Sequence, residues 1–341
     1  MSPRAAGYVA ALGLLLFAVQ ARAQARLDRA ATFTQSAPQA ASRELLRRTL
    51  TPMAYARIDA TLAHLGKTLA VQSVDPAGEQ FMVYVPAGPA PPSGYGLLVF
   101  VPPWDDARLP DGWASALDEH NVILVSALHS GNGQSIVDRR EPLALLAEAN
   151  ILQLYRVDPS RVYIGGFSGG SRIAMRLALA YPDIFRGVFL NSGSDPIGSA
   201  AIPLPPADLF RVFQERTRLY FATGSDDLMN LAQDGASARA MREFCVFNIE
   251  KRTVPDMAHE PASGRVLSDG LSFLAAPSDE DAGALASCRD GLSKDMQARV
   301  QRIRADLSSG NRDEAQDLLV ELNNRYGGLA APDIAALSAV P

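Results

Sequence analysis

Lysine is almost missing from this chain of 341 residues: Lys67, Lys251 and Lys294 are the whole set, while arginine is plentiful. Blocks of like charge are missing too, and the formal net charge is only −5. That balance gives no electrostatic reason to expect nucleic acid or an anionic membrane surface as a partner. Histidine occurs four times and cysteine twice, with no HExxH pair and no Cys/His cluster, which disfavours a metal site. No cofactor-binding motif stands out either: neither GxGxxG nor GxxxxGK[ST] fits the glycine-rich stretch around residue 168. Nearly half of the residues are apolar, enough to bury one large core with chain left over for an appendage.

Long apolar runs are confined to the N-terminus. Arg4 supplies a basic start, Ala5 to Val19 an apolar stretch, and Ala21-Arg22-Ala23 an A-x-A cleavage site. The stretch is too short for a membrane span, so residues 1–23 read as a secretory signal, with a secreted or periplasmic product and no membrane association after cleavage. Residues 24–41 are polar and alanine-rich without periodicity, and read as a flexible lead-in. In an oxidising compartment Cys245 and Cys288 can bridge, closing a loop of about forty residues worth roughly 3–4 kcal/mol; two buried free thiols are the competing reading.

From residue 42 to 280, short apolar segments alternate with segments of helical spacing. Strands are expected at 81–85, 97–101, 122–127, 162–166, 188–191 and 219–223, with a weaker one at 246–249. Helices are expected at 141–155, 171–180, 206–216 and 230–244. This order predicts an α/β fold, a mostly parallel sheet with helices on both faces. Functional side chains in such sheets lie just past the carboxyl ends of the strands.

One such end reads Gly165-Gly166-Phe167-Ser168-Gly169-Gly170, between an apolar strand and a helix. The G-x-S-x-G pattern there is that of a nucleophile elbow, in which glycines two residues either side let a strained turn hold the serine hydroxyl up for reaction. A base and an orienting acid must follow in the chain. His64 lies ahead of the strands, His120 sits at the wrong strand end, and His129 precedes Ser168, which leaves His259 in VPDMAHEP. For the acid, the strand at 219–223 ends in Gly224-Ser225-Asp226-Asp227. Spacing favours Asp227, with Asp226 as the alternative and the loser expected to cap the next helix. Backbone amides for an oxyanion are expected from Gly169 and, since Pro102 and Pro103 have no N–H, from Trp104.

In residues 158–193, in FATGSDD (221–227) and in VPDMAHE (254–260) the chain resembles secreted α/β-hydrolase esterases of the polyhydroxybutyrate depolymerase and feruloyl esterase type. The resemblance spans about half of the chain and implies Ser168 as nucleophile, Asp227 as acid and His259 as base. It departs at Pro102-Pro103, where relatives carry a His-Gly pair. The expected activity is serine-dependent cleavage of a carboxylic ester, small or polymer-borne, through an acyl-enzyme. Rival readings are a serine peptidase or acyltransferase with the same triad, and a non-catalytic binding protein on the same fold. About 27 residues separate the strands ending at Asn191 and starting at Leu219, too few for a large lid.

Beyond residue 281 the apolar positions Val300, Ile303 and Leu307, then Ala315, Leu318, Leu319 and Leu322, predict a helical hairpin stopped by Gly327-Gly328. It is similar to a single tetratricopeptide-type unit, and one unit alone cannot bury a core. Docking on the hydrolase body, or a dimer through these helices, is therefore expected.

Overall fold

The computed structural model describes residues 24–277 and 281–339. The secretory signal expected at 1–23 lies outside the described residues. An eight-stranded sheet forms the centre: β1 (Arg26–Ala31), β2 (Phe81–Val85), β3 (Tyr95–Val101), β4 (Val122–Ala127), β5 (Val157–Phe167), β6 (Gly187–Asn191), β7 (Arg218–Gly224) and β8 (Ile249–Val254), in spatial order β1-β2-β4-β3-β5-β6-β7-β8. β2 runs antiparallel to both of its neighbours, β1 and β4, and every pairing from β4 to β8 is parallel. This is the α/β-hydrolase order.

The helices are α1 (Ser42–Thr49), α2 (Pro52–His64), α3 (Trp113–His120), α4 (Glu141–Leu154), α5 (Gly169–Ala180), α6 (Ala207–Arg216), α7 (Leu228–Glu243), α8 (Gly264–Ala275), α9 (Ala282–Ser308), α10 (Arg312–Tyr326) and α11 (Ala331–Ser338). The central strands are apolar at successive positions because both faces are covered. Leu97, Val99 and Val101 of β3 point into a core shared with α4, α5, α6 and α7, whereas Leu98 and Phe100 meet Trp113, Leu117 and Leu267 of α3 and α8.

Three expectations need correction. The segment 24–41 is not a loose lead-in, since β1 pairs with β2 and Phe33, Ala37 and Ala40 are buried. Its polar composition suits an edge strand, which is half solvated and gives little apolar signal. His64 accordingly follows the first strand. The last strand lies at Ile249–Val254 rather than 246–249, because Val246 is buried in the turn out of α7 while IEKRTV pairs with β7 along an exposed edge.

The C-terminal helices pack on the body and not as an independent unit. Val300, Ile303, Ala315, Leu319, Leu322 and Tyr326 join the core that also holds Phe210, Phe213 and Phe244. Gly327 adopts φ +49°, and a β-carbon there would lie 2.8 Å from the carbonyl oxygen of Leu204. The amide of Gly328 donates to that same oxygen at 2.7 Å. The Arg289 guanidinium of α9 binds Gln214 Oε1 at 2.7 Å and Glu215 Oε1 at 2.8 Å on α6. A third helix, α11, completes the appendage; its eight residues were too short to stand out in the sequence.

Cys245 and Cys288 form a disulfide across 43 residues that ties the start of α9 to the turn after α7. A loop of that size limits the unfolded chain by about 4 kcal/mol in the chain-entropy model. Reduction is expected to lower the thermal midpoint by several degrees, read by circular dichroism with and without a phosphine reductant. An unchanged midpoint in fully reduced protein would mean that the interface between α6 and α9 holds without the bridge.

Candidate active site

Ser168 stands between β5 and α5 with φ 54° and ψ −122°, a backbone region that costs a non-glycine residue on the order of 1–3 kcal/mol. Close packing on either side enforces it. A β-carbon at Gly166 would come within 2.3 Å of the Gly170 carbonyl carbon, and one at Gly170 within 1.9 Å of the Val101 oxygen. The amide of Ser168 donates to Asn191 O at 2.9 Å, which fastens the elbow to the end of β6.

The loop after β8 brings His259 over this serine. His259 Nε2 lies 2.9 Å from Ser168 Oγ, and its Nδ1 lies 2.6 Å from Asp227 Oδ2. The imidazole packs against the Phe167 ring, with 4.9 Å between centroids, and stays partly open to solvent. Ala262 N donates to Asn191 Oδ1 at 2.7 Å, so the elbow and the histidine loop share one buried asparagine. Three residues far apart in sequence, Ser168, Asp227 and His259, thus meet in one hydrogen-bonded row.

Burial and direction separate the two aspartates. The Asp227 side chain is only 6% exposed and points at His259. Asp226 faces solvent, where its carboxylate accepts the Ser225 hydroxyl at 3.1 Å. The expectation that the other aspartate would cap α7 is wrong, since Asp227 itself is the N-cap. Burial raises the Asp227 proton affinity, but the hydrogen bonds from His259 and Asn230 outweigh it and hold the carboxyl below its ordinary value. The turn is possible because Gly224 lets the 256–258 loop cross closely: a β-carbon there would lie 1.8 Å from Met257 O.

Trp104 and Gly169 border the same corner. Gly169 opens α5, so its N–H is one of the unpaired amides of the first turn. The Trp104 loop is held from below: Asn132 N donates to Pro103 O at 2.9 Å, His129 N to Asp105 O at 2.6 Å, and the buried Arg140 guanidinium to Pro102 O at 3.0 Å and Ser130 O at 2.8 Å. Burial lowers the Arg140 pKa to about 10, despite the attraction of Glu141 and Asp105. The Trp104 ring lies 5.9 Å from Phe167, and Arg108 covers its face at 4.3 Å. Beside His259 opens a cleft of about 590 Å³ whose walls include Trp104, Arg108, Leu109, Asp256, Met257 and Glu260.

His64 ends α2, His120 ends α3 and contacts Ser268 Oγ at 2.8 Å, and the exposed His129 follows β4; none of them joins the row. Sequence reasoning missed Asn132, whose carboxamide fills the space beside Gly169 where a side chain would stand. It also missed Asn230, which touches both Asp227 and His259. A position three residues past the acid, in the first turn of the following helix, was the available signal. Among the described residues no group of three or more His, Cys, Asp or Glu side chains is arranged to hold a metal ion.

Residues 134–276 match the model of a family described as Phospholipase/Carboxylesterase. Among curated proteins, the poly(3-hydroxybutyrate) depolymerase of Ralstonia pickettii is 26% identical over 98 residues, covering 25% of this chain and 20% of that protein. The esterase candidate NocK of Nocardia uniformis subsp. tsuyamanensis is 44% identical over 54 residues, covering 16% of this chain and 14% of its own. The chain therefore spans a fifth or less of the length of these relatives. Among solved structures, the S-formylglutathione hydrolase FrmB of Staphylococcus aureus aligns with a TM-score of 0.45 at 11% identity, over 58% of this chain and 93% of that one.

Proposed function

We propose that this α/β-hydrolase is a serine carboxylic ester hydrolase that works through an acyl-enzyme. The observation that carries the reading is the continuous row Ser168 Oγ, His259 Nε2 and Nδ1, Asp227 Oδ2, with contacts of 2.9 and 2.6 Å at the carboxyl ends of β5, β7 and β8. The match of residues 134–276 to a carboxylesterase family supports the same reaction class.

In this reading Ser168 Oγ attacks the ester carbonyl carbon while His259 Nε2 takes its proton, and the carbonyl electron pair moves onto oxygen. Amides of Gly169 and Trp104 receive that oxyanion. The intermediate collapses, the carbon–oxygen bond to the alcohol breaks, and the protonated His259 returns its proton to the departing oxygen. Water then repeats the sequence in reverse and releases the acid. Asp227 keeps the Nδ1 proton in place and balances the imidazolium. The cleft beside His259 receives one side of a small or polymer-borne ester. Neither cofactor nor metal enters any step.

Export belongs to this proposal, since a disulfide such as Cys245–Cys288 persists in an oxidising compartment. No helix among the described residues is long and apolar enough to cross a membrane. A fluorophosphonate probe is expected to label the folded protein once, at Ser168, with peptide mapping as the readout. Failure to label, or labelling elsewhere with Ser168 untouched, sinks the proposal.

A further inference from the structure

The row at the active site does not end at Asp227. Asn230 is buried, 2% exposed, and its side-chain nitrogen donates to Asp227 Oδ1 at 2.9 Å and Oδ2 at 3.0 Å while lying 3.2 Å from His259 Nδ1. Its carbonyl oxygen accepts from an Arg172 guanidinium nitrogen at 3.0 Å. Arg172 in turn pairs with Asp195 at 3.4 Å, and Gln233 Nε2 donates to the same Asp195 oxygen at 3.2 Å.

Both ends of the amide fix its orientation. Rotated by half a turn, Asn230 would present its oxygen to a carboxylate and its N–H groups to a guanidinium, two repulsive contacts in a buried place. The amide dipole is therefore locked between a cation and an anion, with its positive end on Asp227. Where Nδ1 keeps its proton for Asp227, the 3.2 Å approach of Asn230 to Nδ1 is a contact between two donors, not a hydrogen bond. The donors of Asn230 are then committed to the carboxylate, and Asp227 Oδ2, 2.6 Å away, accepts from Nδ1–H.

We propose that Asn230, aligned by Arg172, is a positioning residue for the reaction: it holds the Asp227 carboxylate in the rotamer that accepts the hydrogen bond from His259 Nδ1 and weakens its pull on that proton. This role rests on the triad reading of Ser168, Asp227 and His259. The charged groups around the carboxylate and the imidazole are Arg172 on α5, Asp195 after β6, Asp226 before α7, Asp234 on α7 and Glu260 beside His259. Asp234 is buried, and its carboxylate accepts the hydroxyls of Ser194 and Thr223 at 2.5 Å each, so it is turned away from the imidazole.

The test compares wild type with Asn230→Ala, Asn230→Asp and Ser168→Ala, measuring kcat, KM and the pH profile of kcat/KM on a short p-nitrophenyl ester. Asn230→Ala is expected to lower kcat roughly tenfold to a hundredfold, the scale of losing charge-assisted hydrogen bonding to one carboxylate, with KM little changed. Its acidic limb moves to higher pH, because a carboxylate that has lost two donors binds the imidazolium more tightly. Asn230→Asp, which keeps the shape, moves that limb further, on the order of one pH unit, through the added negative charge. A residue that only packs lowers the thermal midpoint and leaves the limb in place. If both Asn230 variants keep the wild-type limb and kcat while Ser168→Ala is dead, Asn230 has no positioning role and the triad reading survives. An active Ser168→Ala protein overturns the triad itself. Should Asn230→Ala fail to fold, the isosteric aspartate decides alone.

Discussion

Ser168→Ala protein is expected to fold normally and to lose turnover of a p-nitrophenyl ester by on the order of 10⁶-fold in kcat, the scale of nucleophile loss in serine hydrolases. In the proposed mechanism the hydroxyl is the single group that both attacks and hands its proton to His259 Nε2, 2.9 Å away. The neighbouring serines do not replace it: Ser171 on α5 and Ser192 just after β6 are both fully buried. The residue left behind still adopts φ 54°, so alanine inherits the strain and the fold changes little. The measurement is steady-state hydrolysis alongside circular dichroism. A variant that retains even a tenth of the wild-type rate would falsify the nucleophile assignment.

The second large effect is expected from Asp227→Asn. In the proposed mechanism the carboxylate at 2.6 Å from Nδ1 fixes the tautomer with the Nε2 lone pair toward Ser168. An amide in its place can donate to Nδ1, which turns the Nε2 proton toward the serine and removes the base. Such a change costs roughly 10⁴-fold in kcat in a Ser-His-Asp enzyme. It also carries a pH signature in stability. The Asp227 carboxyl is held below its ordinary value of 3.8, despite burial, by the hydrogen bonds from His259 and Asn230. Its ionised form therefore stabilises the fold fully above that value, and the contribution is lost as pH falls through the lower, folded pKa. The stability gap between wild type and Asp227→Asn is expected to be largest near neutrality and to shrink below about pH 4, measured by urea unfolding at several pH values. A gap independent of pH would mean that the carboxylate is not stabilised in the folded protein.

Much of this site was legible before folding because its parts obey local rules. A serine between glycines after an apolar strand demands an elbow, and with one histidine downstream the imidazole that meets Ser168 had no competitor. The strands at 81–85 and 122–127 coincide with β2 and β4 because apolar runs bounded by turns admit few other conformations. The strand at 26–31 was invisible, since an edge strand with one partner needs little apolar surface. Asp226 and Asp227 could not be separated by spacing alone, for neighbouring turn residues differ mainly in which way their side chains point. That direction is set by the 256–258 loop crossing over Gly224. Asn230 left only its place three residues past the acid as a sign, and an asparagine in the first turn of a helix has an ordinary local explanation.

The amino-acid sequence by itself determined the class of fold, the elbow and the histidine, because hydrophobic period, turn chemistry and residue type act within a few positions of one another. The tertiary structure decided which aspartate faces the imidazole, how Asn230 and Arg172 stand behind it, where the cysteines meet and how the C-terminal helices seat on α6. Those are contacts between segments tens of residues apart, and their energies exist only once packing excludes water and fixes direction.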